Sequence, residues 1–405
     1  MKRISIIGGG ASGIFLGLLL SSKDYQVTIF EKDDRPLKKL MATGNGRCNF
    51  TNENLDLSFY RGPNKKFLQD ILEDFNNEDV IEYFRSLGMY ETSLESGRVY
   101  PYTMAAKTLN NVLLNNLKDK IDLRLECEIV DLKKKKDIFY LVDDKKKIYQ
   151  ADGVVLATGG LRTIRKNDYS KGYDLAAGFG HEKTELFPGI VQLKLREVQE
   201  AKRMKNIKFN ALVSLYADGQ IVESYEGDTL FADYGISGLS ILQLSNEVLY
   251  RLKDQDVVLS LDLFPQVDQK DLEDILRRKI NSQLSLLEAM EGMVQDKIAI
   301  ELAQRAGVNP FIKAKSLREE EIKSLAKVAK AFTFRPLGPK SKDDGQITCG
   351  GLDLDQLTEK LESKKVKNLY FTGEVLDVQG DSGVYNLQWA WSSAHRVYRS
   401  ITGEE

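Results

Sequence analysis

An α/β fold whose nucleotide-binding domain is assembled from both ends of the chain is what this sequence predicts, on three observations. An apolar run starting at Ile4 leads into Gly8, Gly10 and Gly13, so the chain opens as strand, tight turn and helix. A second apolar run, Gln26 to Phe30, ends in the acid Glu31, eighteen residues past Gly13. Near the other end, the strand-like Asn368 to Thr372 runs into a glycine-rich stretch, Gly373 to Gly383. Together they describe a Rossmann-type unit. Gly8 permits the turn, Gly10 lets backbone approach a pyrophosphate, and Gly13 lets the helix pack on the strand. The helix start at Ala11 and Ser12 presents partial positive charge to the phosphates, and an acid placed like Glu31 binds ribose hydroxyls.

Length and charge bound the rest. A chain of 405 residues holds two or three domains with ample core. A formal net charge of -2 gives no global attraction to nucleic acid or anionic lipid, which favours small-molecule partners. The segment Ile4 to Leu20 is broken by five glycines, and no other run approaches the roughly 18 apolar residues of a membrane span, so a cytoplasmic protein is expected. Three cysteines, Cys48, Cys127 and Cys349, form no CxxC, and two histidines argue against a histidine-rich metal site.

In chain order, Met41 to Asn52 (MATGNGRCNFTN) is too rich in glycine and asparagine for regular structure and reads as a shaped loop. Helices are expected over Lys65 to Phe75, over Glu78 to Leu87 after Asn76 and Asn77 and before Gly88, and over Ala105 to Leu117. Short strands follow around Leu123 to Leu132 and Phe139 to Val142, with the lysine runs Lys133 to Lys136 and Lys145 to Lys147 at solvated hairpin turns. Val154 to Ala157 is a buried strand entering Thr158, Gly159 and Gly160. From Val191 the pattern changes to strands, Val191 to Leu195, Ala211 to Tyr216 and Gln220 to Glu223, the last two joined at Asp218-Gly219. Spacings of three and four, as in Leu272, Ile275, Leu276 and Ile280, then indicate helices. The predicted division is a first nucleotide-binding part over 1–190, a barrel-like insert over 191–236 that returns over 322–339, a helical subdomain over 237–321, and a second nucleotide-binding part over 340–405. A helix from Asn386 closes the chain.

An acid after the second strand suits NAD or FAD, and the glycine-rich segments at both ends favour FAD, as in flavoproteins of the glutathione reductase type. The segment LYFTGEVLD, Leu369 to Asp377, supplies a late strand plus acid. A helix N-terminus near Asn386 and Leu387 would face the flavin pyrimidine ring, where reduction places negative charge. The motifs MATGNGRCNFTN, GRVYP (Gly97 to Pro101), LATGG (Leu156 to Gly160), YGISG (Tyr234 to Gly238) and GEVLDVQGDSGVYNLQWAWSSA are similar to those of one bacterial flavoprotein family, which includes BaiN-like reductases and aminoacetone oxidase. The likeness covers nearly the whole chain. It implies a two-ended FAD domain interrupted by a barrel and a helical insert.

By that resemblance, residues Gly8 to Gly13 cradle the pyrophosphate with Ser12 donating a hydrogen bond, Glu31 holds the adenosine ribose with Lys32 beside it, and Lys39 neutralises phosphate charge. Gly44 to Asn49 lie against the isoalloxazine, with Asn45, Arg47, Cys48 and Asn49 supplying polar groups. The backbone at Ile129 or Val130 meets the adenine edge, and Thr158 and Gly159 close over the cofactor. Gly373 and Glu374, with Asp377, Asn386, Leu387 and Gln388, approach ribityl and pyrimidine. Read without the family, Arg47 fits a loop-stabilising ion pair equally well and Cys48 a packed thiol.

The chain departs from the family on the expected substrate side. It has LRTIRKNDYSKG, Leu161 to Gly172, in place of a serine-, threonine- and glycine-rich run. Asp233 stands for histidine, Leu239 for proline, and Val384 and Ala394 for glycines. The implied activity is an FAD-dependent oxidation of a small amine or amino ketone, with O2 as acceptor giving carbonyl, ammonia and peroxide. A reductase drawing on NAD(P)H to saturate an enone is the alternative, and a flavin-binding or RNA-associated protein without turnover the other class. The sequence assigns no acid–base pair, and it carries no second G-x-G-x-x-G loop for a nicotinamide nucleotide.

Overall fold

The computed structural model describes residues 1–161, 171–280, 283–341 and 343–404, without the side chains of residues 44, 45 and 280. Most of the loop Leu161 to Gly172 singled out above therefore lies outside the described residues. The chain divides into two compact units, Met1–Phe187 with Ile347–Glu405, and Pro188–Gln346.

The first unit is built on a parallel five-stranded sheet ordered Leu369–Phe371, Gly153–Leu156, Lys2–Ile7, Tyr25–Phe30 and Asp122–Arg124. The sheet's last strand in chain order, Leu369–Phe371, thus lies beside Gly153–Leu156, with Leu156 opposite Phe371, while Ile7 stands opposite both Leu156 and Phe30. Val154, Val155 and Leu156 are wholly buried, as expected for strands covered on both faces. Helix Ala11–Leu20 is buried from Ser12 onward because Phe15 packs among Phe75, Tyr83, Phe84 and Trp391, its ring centroid 5.2 Å from that of Trp391 on the closing helix Gly383–Thr402.

Helix ends follow their capping chemistry. Asn76 accepts from the backbone of Glu78 and Asp79 while Asp79 accepts from Asn76 N–H, so helix Asn77–Ser86 starts on a capping box, and Gly88 (φ 87°) follows its end. Helices Lys65–Asp74 and Ala106–Leu117 stand where the sequence places them. The first lysine run differs: Lys133 to Lys135 continue the strand Ile129–Lys135, paired with Ile138–Asp143, because Lys134 and Lys135 lay their amines over the rings of Phe139 and Tyr140. Only Lys136 (φ 55°) turns the chain there.

The second unit carries a seven-stranded antiparallel sheet ordered Phe332–Phe334, Val257–Asp262, Lys208–Ala217, Gln220–Ala232, Gly235–Ser237, Leu193–Leu195 and Pro336–Pro339. Its two edge strands are separated in sequence by Arg335 alone, so the sheet curls until its ends meet, which makes it barrel-like. Asp218 and Gly219, both at positive φ, form the hairpin. Two features went unseen in the sequence. Strand Gln220–Ala232 runs nine residues past Glu223, because its largely polar, exposed positions hide the alternation. Strand Val257–Asp262 interrupts the stretch 237–321 read as helical; in it Val257, Leu259 and Leu261 are buried and the residues between them half-buried. Around it stand helices Leu239–Arg251, Gln269–Ile280, Leu286–Met290, Asp296–Arg305 and Glu319–Lys330. Among the described residues no helix is long and apolar enough to cross a membrane.

Candidate functional site

The three glycines of the first loop do three different things. A Cβ on Gly8 (φ 112°) would stand 2.3 Å from the carbonyl oxygen of Ala157, and one on Gly13 would stand 2.0 Å from that of Gly8. Those two positions are closed by protein. A Cβ on Gly10 would meet nothing within 4 Å. Gly10 is also the N-cap of helix Ala11–Leu20 and offers no side chain to its free N–H groups. Open space therefore lies over an uncapped helix start, which is what a diphosphate requires.

Glu31 follows strand Tyr25–Phe30 and accepts N–H groups from Gly9 (2.8 Å) and Asp33 (2.9 Å), tying the acid to the glycine loop; its burial raises its pKa. Lys32 is half-buried beside it. Backbone bonds from Glu126 to Asp33 and from Cys127 to Glu31, each 3.0 Å, draw the next strand alongside. There the ladder skips from Ile129 to Asp131, leaving Val130 in a bulge with its side chain exposed, while Ile129 is buried.

The loop after the second strand passes through a 3-10 turn, Thr43–Gly46, and then Cys48 at φ 57°. Cys48 is fully buried and burial pushes its thiol up to about 11, so it is a protonated packing group. Arg47 is exposed and has no ion-pair or hydrogen-bond partner among the described residues. Asn49 is half-buried, with Oδ1 buried and unpartnered. The exit of this loop is held by the closing helix: Trp391 Nε1 donates to Phe50 O (3.0 Å) and Thr51 Oγ1 donates to Gln388 Oε1 (2.6 Å).

At the other end of the sheet, Gly373 (φ 76°) begins a 3-10 turn, Gly373–Val375. Its N–H donates to Ser393 Oγ (3.0 Å) and its carbonyl accepts from Trp389 Nε1 (3.2 Å). Glu374 Oε2 takes Lys39 Nζ at 2.5 Å and Oε1 accepts from Thr348 N–H at 2.8 Å, while Thr348 Oγ1 accepts from Leu161 N–H at 2.9 Å. A Cβ on Gly159 (φ 70°) would stand 3.9 Å from Glu374 Oε2. Thr158 abuts Gly172, whose missing Cβ would fall 1.8 Å from Thr158 Oγ1.

Several expected positions come out differently. The closing helix starts at Gly383, three residues before Asn386, so the amides free at its first turn belong to Gly383 and Val384. Asn386 is spent on the loop that enters the helix, donating to the carbonyls of Gly380 and Ser382 (2.9 Å each) and accepting from Gly380 N–H (3.1 Å). Gln388 is wholly buried, its amide taken by Thr51, Phe75 O and Ser392, so its side chain supports the site from behind. Leu387 is buried too. Asp377 accepts from Thr184 Oγ1 (2.9 Å) and Gln379 Nε2 (2.8 Å), an internal brace. Sequence reasoning missed Thr348, Ser393 and the two tryptophan N–H donors. The signal available was the spacing in QWAWSS, where residues three and four apart face one side of a helix.

The strand termini, the open glycine loop, the uncapped helix and the carboxylates Glu31 and Glu374 at the two chain ends all fit FAD. Fold and site define a Rossmann-type FAD-dependent oxidoreductase. The HI0933-like protein Rossmann domain matches residues 2–399, and the chain belongs to that family. A relative from Clostridium scindens named 3-dehydro-bile acid delta(4,6)-reductase is 31% identical over 99% of both chains. The Escherichia coli protein named ribosomal RNA dihydrouridine synthase is 28% identical over 96% of this chain and 95% of its own. A Rhodococcus jostii 3-ketosteroid-delta4-(5alpha)-dehydrogenase structure aligns with 98% of this chain and 96% of its own at 11% identity, with a TM-score of 0.49.

Proposed function

We propose that this flavoenzyme saturates a carbon–carbon double bond conjugated to a carbonyl. The supporting observation is the end-to-end similarity to two proteins whose names share that chemistry: a delta(4,6)-unsaturated 3-dehydro-bile acid is a conjugated ketone, and uridine becomes dihydrouridine by losing the ring double bond next to its carbonyl. The flavin, when bound, exchanges a hydride with a substrate carbon through N5, and the protein's share is binding and orientation. Residues Gly8 to Gly13 would hold the pyrophosphate, Glu31 with Lys32 the adenosine ribose, and the bulge at Ile129 and Val130 the adenine. Arg47 is exposed and has no ion-pair partner among the described residues, so its guanidinium would be free to stabilise the oxyanion that grows on the carbonyl as the β-carbon accepts hydride. An RNA substrate belongs to the same chemical class as the conjugated ketone, and the small-molecule reading rests on the chain's net charge of -2.

The amine oxidase reading is favoured by a different observation, the single G-x-G-x-x-G loop, which leaves no dedicated nicotinamide-nucleotide domain. One anaerobic experiment separates the two. NADH or NADPH should bleach the flavin, and a conjugated enone or dienone should restore its colour in stoichiometric amount. Bleaching by small amines or amino ketones, with colour restored by air, peroxide formed and enones inert, would overturn the reductase reading.

A further inference from the structure

Lys39 and Glu374 stand 335 positions apart in sequence and meet at 2.5 Å. Lys39 lies in the one-turn helix Lys38–Met41 after the second strand, and Glu374 in the turn Gly373–Val375 after strand Leu369–Phe371. The contact therefore joins the two chain ends at the strand termini where the cofactor belongs. The side chains keep 43% and 16% of their exposure, so the pair borders open space. The carboxylate is aimed by three neighbours: Lys39 on Oε2, Thr348 N–H on Oε1, and the bare backbone of Gly160, whose missing Cβ would come within 3.0 Å of Oε1. Lys39 is the only cation ion-paired with Glu374 among the described residues.

A lysine near a dinucleotide site is expected to sit on the phosphates, yet this one is taken by a carboxylate. We infer that Lys39 acts through Glu374: it is a positioning residue that neutralises and orients the carboxylate against the FAD, not a ligand of the pyrophosphate. Without it, an uncompensated negative charge faces a cofactor that already carries two phosphates and gains negative charge on reduction. Both affinity and reduction potential should fall.

The test is a double-mutant cycle read on FAD binding to apoprotein and on the midpoint potential of the bound flavin. Lys39→Met should weaken FAD about tenfold and lower the two-electron potential by about 30 mV for each tenfold preference lost by the reduced form. Lys39→Arg should restore both. In the Glu374→Gln background, Lys39→Met should cost almost nothing further in either quantity. An equal loss in both backgrounds, or a loss of affinity at unchanged potential, would give Lys39 to the phosphates and overturn the inference; so would a Lys39→Met protein indistinguishable from wild type. Lys39→Gln reads the same cycle if the methionine variant does not fold.

Discussion

At Gly10 a side chain would grow into open space, whereas at Gly8 and Gly13 it would strike a carbonyl oxygen 2.3 and 2.0 Å away. The same substitution should therefore fail in two distinguishable ways. Gly10→Val is expected to fold, with a melting temperature close to wild type, but to purify with little FAD. Gly13→Val should not reach a folded state, because neither backbone can yield. Circular dichroism beside the flavin-to-protein absorbance ratio checks both. A colourless but unfolded Gly10→Val would remove the argument that this space belongs to a ligand. The sequence disclosed these roles because glycine spacing carries backbone information directly. It did not disclose the partners of Glu374 and Gln388, because a side chain's hydrogen bonds depend on segments hundreds of residues away.

The closing helix Gly383–Thr402 does more than end the chain. Its Gln388, Trp389, Trp391 and Ser393 reach the backbone or side chains of Phe50, Thr51 and Gly373, so one element fixes two loops of the candidate site. Its outer turns bring a pH dependence. His395 stacks on Phe75, ring centroids 4.4 Å apart, and burial pulls its pKa to about 4. Asp74 lies 3.8 Å from His395 Nδ1 and would oppose that fall, but its charge is already taken by Arg396 and Arg399, so burial decides. Buried His181 is pulled to about 4 as well. Both histidines gain a proton in the unfolded chain near pH 6.5 and in the folded one only near 4. Their contribution to stability is thus complete above pH 6.5 and is lost as pH falls from there to 4. The melting temperature should decline across that window, and His395→Phe, which keeps the stacking, should decline less steeply. Equal slopes for the two proteins would show that His395 stays neutral in neither state or both.

Across the whole molecule, the second unit is one continuous stretch, residues 188–346, inserted in the chain of the first. Within the first unit, Thr184 N–H donates to Gly351 O at 2.9 Å and Gly351 N–H returns to Thr184 Oγ1 at 3.0 Å, so the two sides of the gap are adjacent. Within the second, Gln346 N–H donates to Gly189 O at 2.9 Å, so its ends are adjacent too. Replacing residues 188–346 by a few glycines should leave a first unit that folds and turns yellow with FAD, whereas residues 1–187 alone should do neither, lacking strand Leu369–Phe371 and the closing helix. Flavin retention after gel filtration measures each. The two-ended sheet was legible because a strand followed by glycines appears at both ends. The limits of the insert were less so: the composition shift at Val191 lies four residues past Phe187, and the return at Ile347 comes after 340, because loop residues carry no periodicity that marks a boundary.

Residues 188–346 are contiguous and leave the ribosome complete, so their antiparallel sheet can pair while the chain is still growing. The parallel sheet has no such freedom: Gly153–Leu156 waits beside an empty edge until Leu369–Phe371 emerges, more than 200 residues later. The inserted unit should mature first, and the hydrophobic edge of Gly153–Leu156 stays open to other strands while the residues up to Phe371 are made. Capture of FAD is then expected only after Leu369–Phe371 has emerged.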